Sequence, residues 1–284
     1  MITKVNQYIR QAISSDQKQL ANLIHFGTYV HRHLDWRPPL EWIGHEPFLV
    51  LETDHRLIAA LACPPDPEAV NWIRLFVVYD EDHLADSWLQ LWSSALELYS
   101  TDPKPVVAAI PLQDWFEKLL QKSQFQMTSE VVMLTWGHGR IPDKPAQVEL
   151  NIRPMTTDDL PRVEALDKIA FGTLWHNSQK SLEYAFNQAT IATLAEIDQV
   201  LVAYQISTSM QLGGHLARLA THPAFQRKGI GYAILRDLMI QFKQRGVRRV
   251  TVNTQEDNFA SIALYKTAGF ELTGESFPVY QYVP

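Results

Sequence analysis

Only one cysteine, Cys63, occurs in the 284 residues, which excludes an internal disulfide and makes a reducing compartment the default. No Cys or Cys/His spacing suits zinc, so no metal is expected. No apolar run approaches the roughly eighteen residues of a membrane span, and the opening MITKVNQYIRQAISSDQKQL has no apolar core of signal-peptide length. The expected location is the cytoplasm, and no membrane partner is expected. Cations are short in the first half: residues 1–148 carry 12 Lys and Arg against 18 Asp and Glu, whereas residues 149–284 carry 13 of each. A general basic surface for nucleic acid is thereby disfavoured, while a local cationic pocket in the second half remains open.

What is present fits a globular chain, with 46% apolar and 20% charged residues and a length that favours two domains over one. The chain repeats itself. YIRQAISSDQ, from Tyr8, is echoed by NIRPMTTDDL, from Asn151; each is a short strand followed by the Ser/Thr and Asp of a helix start. An offset of 145 then lays FEKLLQKSQF over SIALYKTAGF, placing Phe125 on Phe270. GHGRIPDKPAQ, Gly137 to Gln147, has no apolar face to bury and reads as a linker. The expected division is a first copy over residues 1–136, the linker over 137–147 and a second copy over 148–284.

In the second copy the hydrophobic pattern predicts a strand, two helices and an antiparallel pair across a turn at Asp198. The strand HLARLATHP follows, then a helix over about 228–244, the strand RRVTVNTQ, the helix NFASIALYKTAG and a final strand pair over 270–282. Each copy is expected to be a mixed α/β sandwich, a mostly antiparallel sheet flanked by helices. Glycine is scarce, with 12 in all, yet Gly229 and Gly231 stand one residue apart between a strand and an amphipathic helix. Their amides fall at a helix N-terminus, and Arg227 and Lys228 add positive charge, so a phosphate-bearing ligand is implied. Two common phosphate loops fail. A Walker loop needs Lys-Ser/Thr directly after its last glycine, where Tyr232 and Ala233 stand, and a dinucleotide fingerprint needs a small residue at Ile234.

HLARLATHPAFQRKGIGYAILRDL followed by NFASIALYKTAGFE resembles the GNAT superfamily of N-acetyltransferases, with Gln226, Gly229 and Gly231 in its signature positions. The resemblance covers about residues 149–284; the first half matches in element order, without the motif. It implies two tandem GNAT-like domains and acetyl-CoA as cosubstrate. On this resemblance the backbone of Arg227, Lys228, Gly229, Ile230, Gly231 and Tyr232 holds the pyrophosphate, and the pantetheine arm pairs with Leu219, Ala220 and Thr221. The Leu219 N–H polarises the thioester carbonyl, Asn258 hydrogen-bonds the cofactor, and Tyr265 protonates the departing thiolate. His215 stands where family members carry a base; its imidazole suits that work, and the preceding Gly213 and Gly214 leave a second reading, a solvated hairpin end. Glu196 and Tyr204 lie on neighbouring strands with their facing undecided.

At the place of the glycine loop the first copy reads EDHLADSW, with Asp80, Glu81, Asp82 and Asp86 where phosphate would lie, and Leu120 stands opposite Tyr265 and Gln113 opposite Asn258. It is expected neither to bind acetyl-CoA nor to catalyse. Its seven tryptophans read as core aromatics, and a stretch such as YVHRHLDWRPPLEWIGHEPF as a segment that fills the core or covers the acceptor. The function expected is transfer of acetyl from CoA to an amine, a small metabolite or a peptide N-terminus, by a monomer in preference to a dimer; the alternative is a non-catalytic acyl-CoA-binding module with a protein-interaction domain.

Overall fold

A computed structural model describes residues 7–99, 105–137, 139, 141–144, 146–211 and 213–283. In chain order the elements are β1 (Gln7–Gln11), α1 (Gln17–Phe26), β2 (Tyr29–Arg32), β3 (Phe48–Thr53), β4 (Arg56–Ala62), β5 (Val70–Trp72), β6 (Leu75–Val78), α2 (Leu84–Leu98), β7 (Val106–Ala109), α3 (Asp114–Lys122) and β8 (Phe125–Gly137). There follow β9 (Asn151–Pro154), α4 (Leu160–Trp175), α5 (Gln179–Gln188), β10 (Ile191–Ile197), β11 (Val200–Met210), β12 (Gly213–Thr221), α6 (Ile230–Gln244), β13 (Arg249–Gln255), α7 (Phe259–Thr267) and β14 (Glu271–Tyr282).

The chain forms two compact units, Met1–Thr128 with Pro278–Pro284, and Ser129–Phe277. These differ from the division expected at residue 136. The strand β8 runs across that point, and its residues 131–137 pair with β13; at the other end Tyr280 and Gln281 pair with β7. Each unit therefore takes a closing strand from the other half of the sequence, a long-range pairing that no local pattern encodes. The expected final strand pair is also a single strand, β14, in which Gly274 takes φ 84°. Of the expected linker, Gly137 ends β8, Pro142 O accepts from the Tyr232 hydroxyl on α6 at 2.7 Å, and Gln147 N donates to Lys228 O, just before α6, at 3.0 Å. His138, Arg140 and Pro145 lie outside the described residues.

In the first unit the sheet order is β1-β3-β4-β6-β2. One face packs on α2 and α3 through Leu61, Phe76, Trp88, Trp92 and Phe116, and the other on α1 through Leu20, Leu23 and Val77. In the second unit the order is β14-β8-β13-β12-β11-β10-β9, and α6 lays Leu235, Leu238, Met239 and Phe242 against it. These are the positions that the three-and-four spacing assigns to one helix face. The hairpin at Asp198 forms as expected, with Asp198 and Gln199 both at positive φ.

Duplication is visible in an ion triad as well as in element order. Arg10 donates to Asp16 at 2.6 and 2.8 Å and to Glu52 at 2.7 and 2.9 Å. In the second unit Arg153 donates to Asp159 at 2.8 and 2.7 Å and to Glu196 at 3.1 and 3.2 Å. Both glutamates stand beside a register shift, at Leu51/Glu52 and Ala195/Glu196. The two copies thus share a first-strand clamp that ties strand, helix start and bulge together.

Buried His31 carries a pH-dependent part of the first unit's stability. Its ring stacks on Phe116 with centroids 3.9 Å apart, and Nε2 lies 3.2 Å from Ile73 O; burial pushes its pKa down to about 4. The fold holds the neutral ring, so the contribution is complete above the ordinary value near 6.5 and is lost as pH falls toward 4. The full effect is about 3 kcal/mol. Urea unfolding at pH 7 and pH 4.5 is expected to show a smaller acid loss in His31→Phe than in the parent; equal losses would contradict this assignment.

Candidate active site

The site begins with a strand that is paired on one side only. β12 pairs with β11 from Gly213↔Met210 to Thr221↔Ala203, but with β13 only from Gly213 to Leu216. A register shift at Ile206/Ser207 inserts Ala217 as an extra residue on β12, and the parallel strands part there. His222 N donates to Val202 O at 2.8 Å. Because backbone donors alternate along a strand, Ala220 and Arg218 also face β11, which leaves the N–H groups of Leu219 and Thr221 on the opposite edge. Among the described residues no strand pairs with that edge beyond Leu216.

A loop of unusual backbone connects this edge to α6. His222 Nδ1 accepts from Ala224 N at 3.2 Å and starts a 3-10 turn over Pro223–Phe225, so this histidine is structural. Gln226 Nε2 then donates to Thr221 O at 3.4 Å, drawing the loop back to the strand end. Arg227 at φ 65° and Gly229 at φ 80° both lie in the left-handed region before α6 begins at Ile230, and only glycine occupies it without steric cost. At Gly231 a Cβ would stand 3.1 Å from Thr221 Oγ1 and 3.5 Å from Leu264 Cδ2. The glycine pair therefore brings the helix start against both the strand end and α7, and leaves a backbone cradle at the positive end of a 15-residue helix. Ile230 and Tyr232 turn their side chains into the core, so they can offer a ligand only their main chain.

Asn258 opens α7, its Oδ1 accepting from Ser261 N at 3.1 Å. Seven residues on, Tyr265 is 4% exposed with its ring 5.8 Å from that of Phe270. Burial raises its pKa, and the positive charge of Arg218 works against that rise. His215 lies within β12, not at a hairpin end. Gly214 before it is required by packing, since a Cβ there would meet the Phe242 ring at 2.9 Å. The half-buried His215 ring has Nδ1 2.9 Å from Thr251 Oγ1 on β13, and burial lowers its pKa below 6.5. It is neutral at pH 7 and able to take a proton.

Two candidates of undecided facing are structural. Glu196 is held by Arg153 and by Arg162 at 3.0 Å, and the Arg153 contact keeps its carboxyl below the ordinary range, which makes it a poor base. Tyr204 is fully buried and donates to Asp167; burial first, then the Asp167 charge, raises its pKa. Sequence reading passed over the hub of this network. Asp167, 0% exposed, accepts from Arg218 Nε and Nη2 at 2.7 Å each and from Asn177 N at 2.6 Å, and Arg218 Nη2 also donates to Trp175 O at 2.6 Å. The residue directly before Leu219 is thus bolted to α4 and the segment after it. The available signal was a lone Asp on the apolar face of a helix, which buries a charge only with a partner.

The first unit differs from this arrangement in two ways. Its loop has no left-handed glycine: His83 Nδ1 meets Asp80 Oδ1 at 2.6 Å and α2 starts at Leu84. The strand edge is also taken. Phe76–Val78, which an offset of 143 places on Leu219–Thr221, pairs with β2, with His31↔Phe76 and Tyr29↔Val78. Tyr29 packs on Trp115 at 5.2 Å and His31 on Phe116. In this copy the chain's own segment fills the slot that the second copy leaves open, and part of the aromatic-rich stretch around it is core.

In the second unit, then, a strand with one open edge leads into a left-handed glycine loop at a helix start. Comparison with known proteins identifies the family. The acetyltransferase (GNAT) family model matches residues 160–270. The chain is 30% identical over 121 residues to the [ribosomal protein bS18]-alanine N-acetyltransferase of Escherichia coli K12, which covers 42% of this chain and 79% of that protein. Among solved structures, a tandem GNAT protein from the clavulanic acid biosynthesis pathway covers 98% of both chains at TM-score 0.60 and 16% identity. A GCN5-related N-acetyltransferase from Sphaerobacter thermophilus covers 97% of this chain and 95% of its own at TM-score 0.59 and 16% identity; these two likenesses concern the fold. The chain belongs to the GNAT family and is an acyltransferase, with a GNAT-like fold in both halves. Among the described residues no cluster of metal-ligating side chains occurs, and no helix is long and apolar enough to cross a membrane.

Proposed function

We propose that the second unit transfers an acetyl group from acetyl-CoA directly to a primary amine, and that the first unit neither binds the cosubstrate nor catalyses. The observation that carries this is the single open edge of β12 beside the Gly229–Gly231 cradle, against the filled edge of β6. The residues present fit acetyl-CoA: backbone amides over 227–232 suit its pyrophosphate, and the edge at Leu219 and Thr221 suits the amides of its arm. When bound, it supplies an acetyl group activated as a thioester. Leu219 N–H is a fixed dipole placed to meet negative charge that grows on a carbonyl oxygen during attack. His215, neutral and half-buried, takes the proton of the incoming amine, directly or through water. Tyr265 keeps its proton at neutral pH and gives it to the leaving sulfur. Asp167 and Arg218 hold the Leu219 peptide in place.

The acceptor class is an amine on a peptide N-terminus or a small metabolite; the relative that acetylates an alanine of a ribosomal protein supports the former. A panel of both, including peptides that begin with Ala, read out as free thiol and combined with calorimetry, tests the reading. Thiol release with one acetyl-CoA bound per chain is expected. Two bound per chain, or binding without turnover of any amine, overturns it, the latter in favour of a binding module.

A further inference from the structure

A histidine that takes a proton needs a bare nitrogen facing the donor, and the partner of its other nitrogen decides which one is bare. His215 and Thr251 are register partners on the parallel strands β12 and β13. His215 Nδ1 and Thr251 Oγ1 are 2.9 Å apart. Two arrangements fit that distance. The hydroxyl can donate to Nδ1, which puts the ring proton on Nε2 and leaves no acceptor on the outer side. Alternatively Nδ1–H donates to the hydroxyl oxygen, and Nε2 carries the free lone pair. A hydroxyl has one proton and two lone pairs, so its other contact separates the cases. Thr251 Oγ1 reaches Gly214 O at 3.5 Å, a carbonyl that can only accept. The second arrangement makes both contacts hydrogen bonds, the hydroxyl pointing its proton toward Gly214 O and receiving from Nδ1–H, whereas the first makes only one of them. The Thr251 main chain also favours protonation of the ring, against the larger effect of burial.

We propose that Thr251 is a positioning residue that holds His215 in the Nδ1–H form and so leaves Nε2 as the proton acceptor. This rests on the reading of His215 as the base. The chemistry balances within one turnover: Nε2 gains the proton that the amine loses as its nitrogen bonds to the acetyl carbon and the carbon–sulfur bond breaks, Tyr265 gives its proton to the sulfur, and the ring then releases a proton to solvent while Tyr265 regains one from it. Thr251 never leaves its hydrogen bond and exchanges nothing.

The test has a spectroscopic arm and a kinetic arm. In ¹⁵N-histidine-labelled full-length protein, with His215 assigned by its loss in His215→Gln, the proton is expected on Nδ1. Thr251→Val, similar in shape but without a hydroxyl, should shift the population toward Nε2–H. The same variant should lower kcat by about tenfold or more at unchanged KM for acetyl-CoA, as for a partly disabled base. Thr251→Ser restores both signals, which a loss of packing alone could not explain. A parent protein with its proton on Nε2 overturns the proposal whatever His215 does. If the ring form shifts as expected while Thr251→Val and His215→Gln both turn over like the parent, the proton acceptor lies elsewhere, and the proposal falls together with the reading it rests on. Should Thr251→Val lower the melting temperature, the parent spectrum and the serine variant still decide.

Discussion

Gly229→Glu is expected to abolish acetyl-CoA binding while leaving the protein folded. Two effects act together at this position. The residue stands at φ 80° directly before α6, where a side chain costs about 1–2 kcal/mol, enough to disturb the loop without unfolding a domain. The larger effect is charge. At the positive end of the helix a carboxylate takes the place meant for phosphate, and two unit charges about 4 Å apart repel by about 4 kcal/mol at an effective dielectric near 20. Calorimetry should therefore record a loss of at least about a hundredfold, with Gly229→Ala in between because it adds strain without charge. An affinity within a few-fold of the parent would remove the loop from the binding site.

Tyr265→Phe is expected to cut kcat by roughly a hundredfold to ten-thousandfold, the usual range for a lost general acid, with binding of acetyl-CoA unchanged. The substitution suits the question because the ring is packed in the core beside Phe270 and phenylalanine keeps that packing. Burial raises the phenol's pKa, so the group is protonated throughout the working range and its loss should not move the acid limb of the rate profile. With His215 as the base that limb is expected to follow its imidazole, which burial lowers below 6.5. If Tyr265→Phe turns over every accepted amine at the parental rate, the residue is a core aromatic and the acid must be sought elsewhere.

Where the chain's own local chemistry decides a feature, the feature was readable. Gly229 and Gly231 were legible because a left-handed turn and a helix start pressed against a strand both exclude a Cβ, a demand met within a few residues. The faces of α6 were legible from spacing alone, and the turn at Asp198 from the strands on either side of it. The repeated Arg and Asp near residues 10 and 153 announced the duplication, although their glutamate partners lie 42 and 43 residues further on and emerged only from the structure. For Glu196 and Tyr204 the alternation along a strand named two faces and could not say what each face met.

By itself, then, the sequence determined that the fold is repeated, which copy carries the glycine loop, and the family that this loop and the later helix resemble. Tertiary structure alone decided that β8 and the chain's last residues close sheets outside their own copies, that β2 fills the first copy's slot, and that Asp167 holds Arg218 51 residues away. The physical reason is range. A turn or a helix face is settled by neighbours within one or two turns of chain, whereas strand pairing and buried charge pairs are settled by which distant segments satisfy each other's hydrogen bonds once water has been excluded.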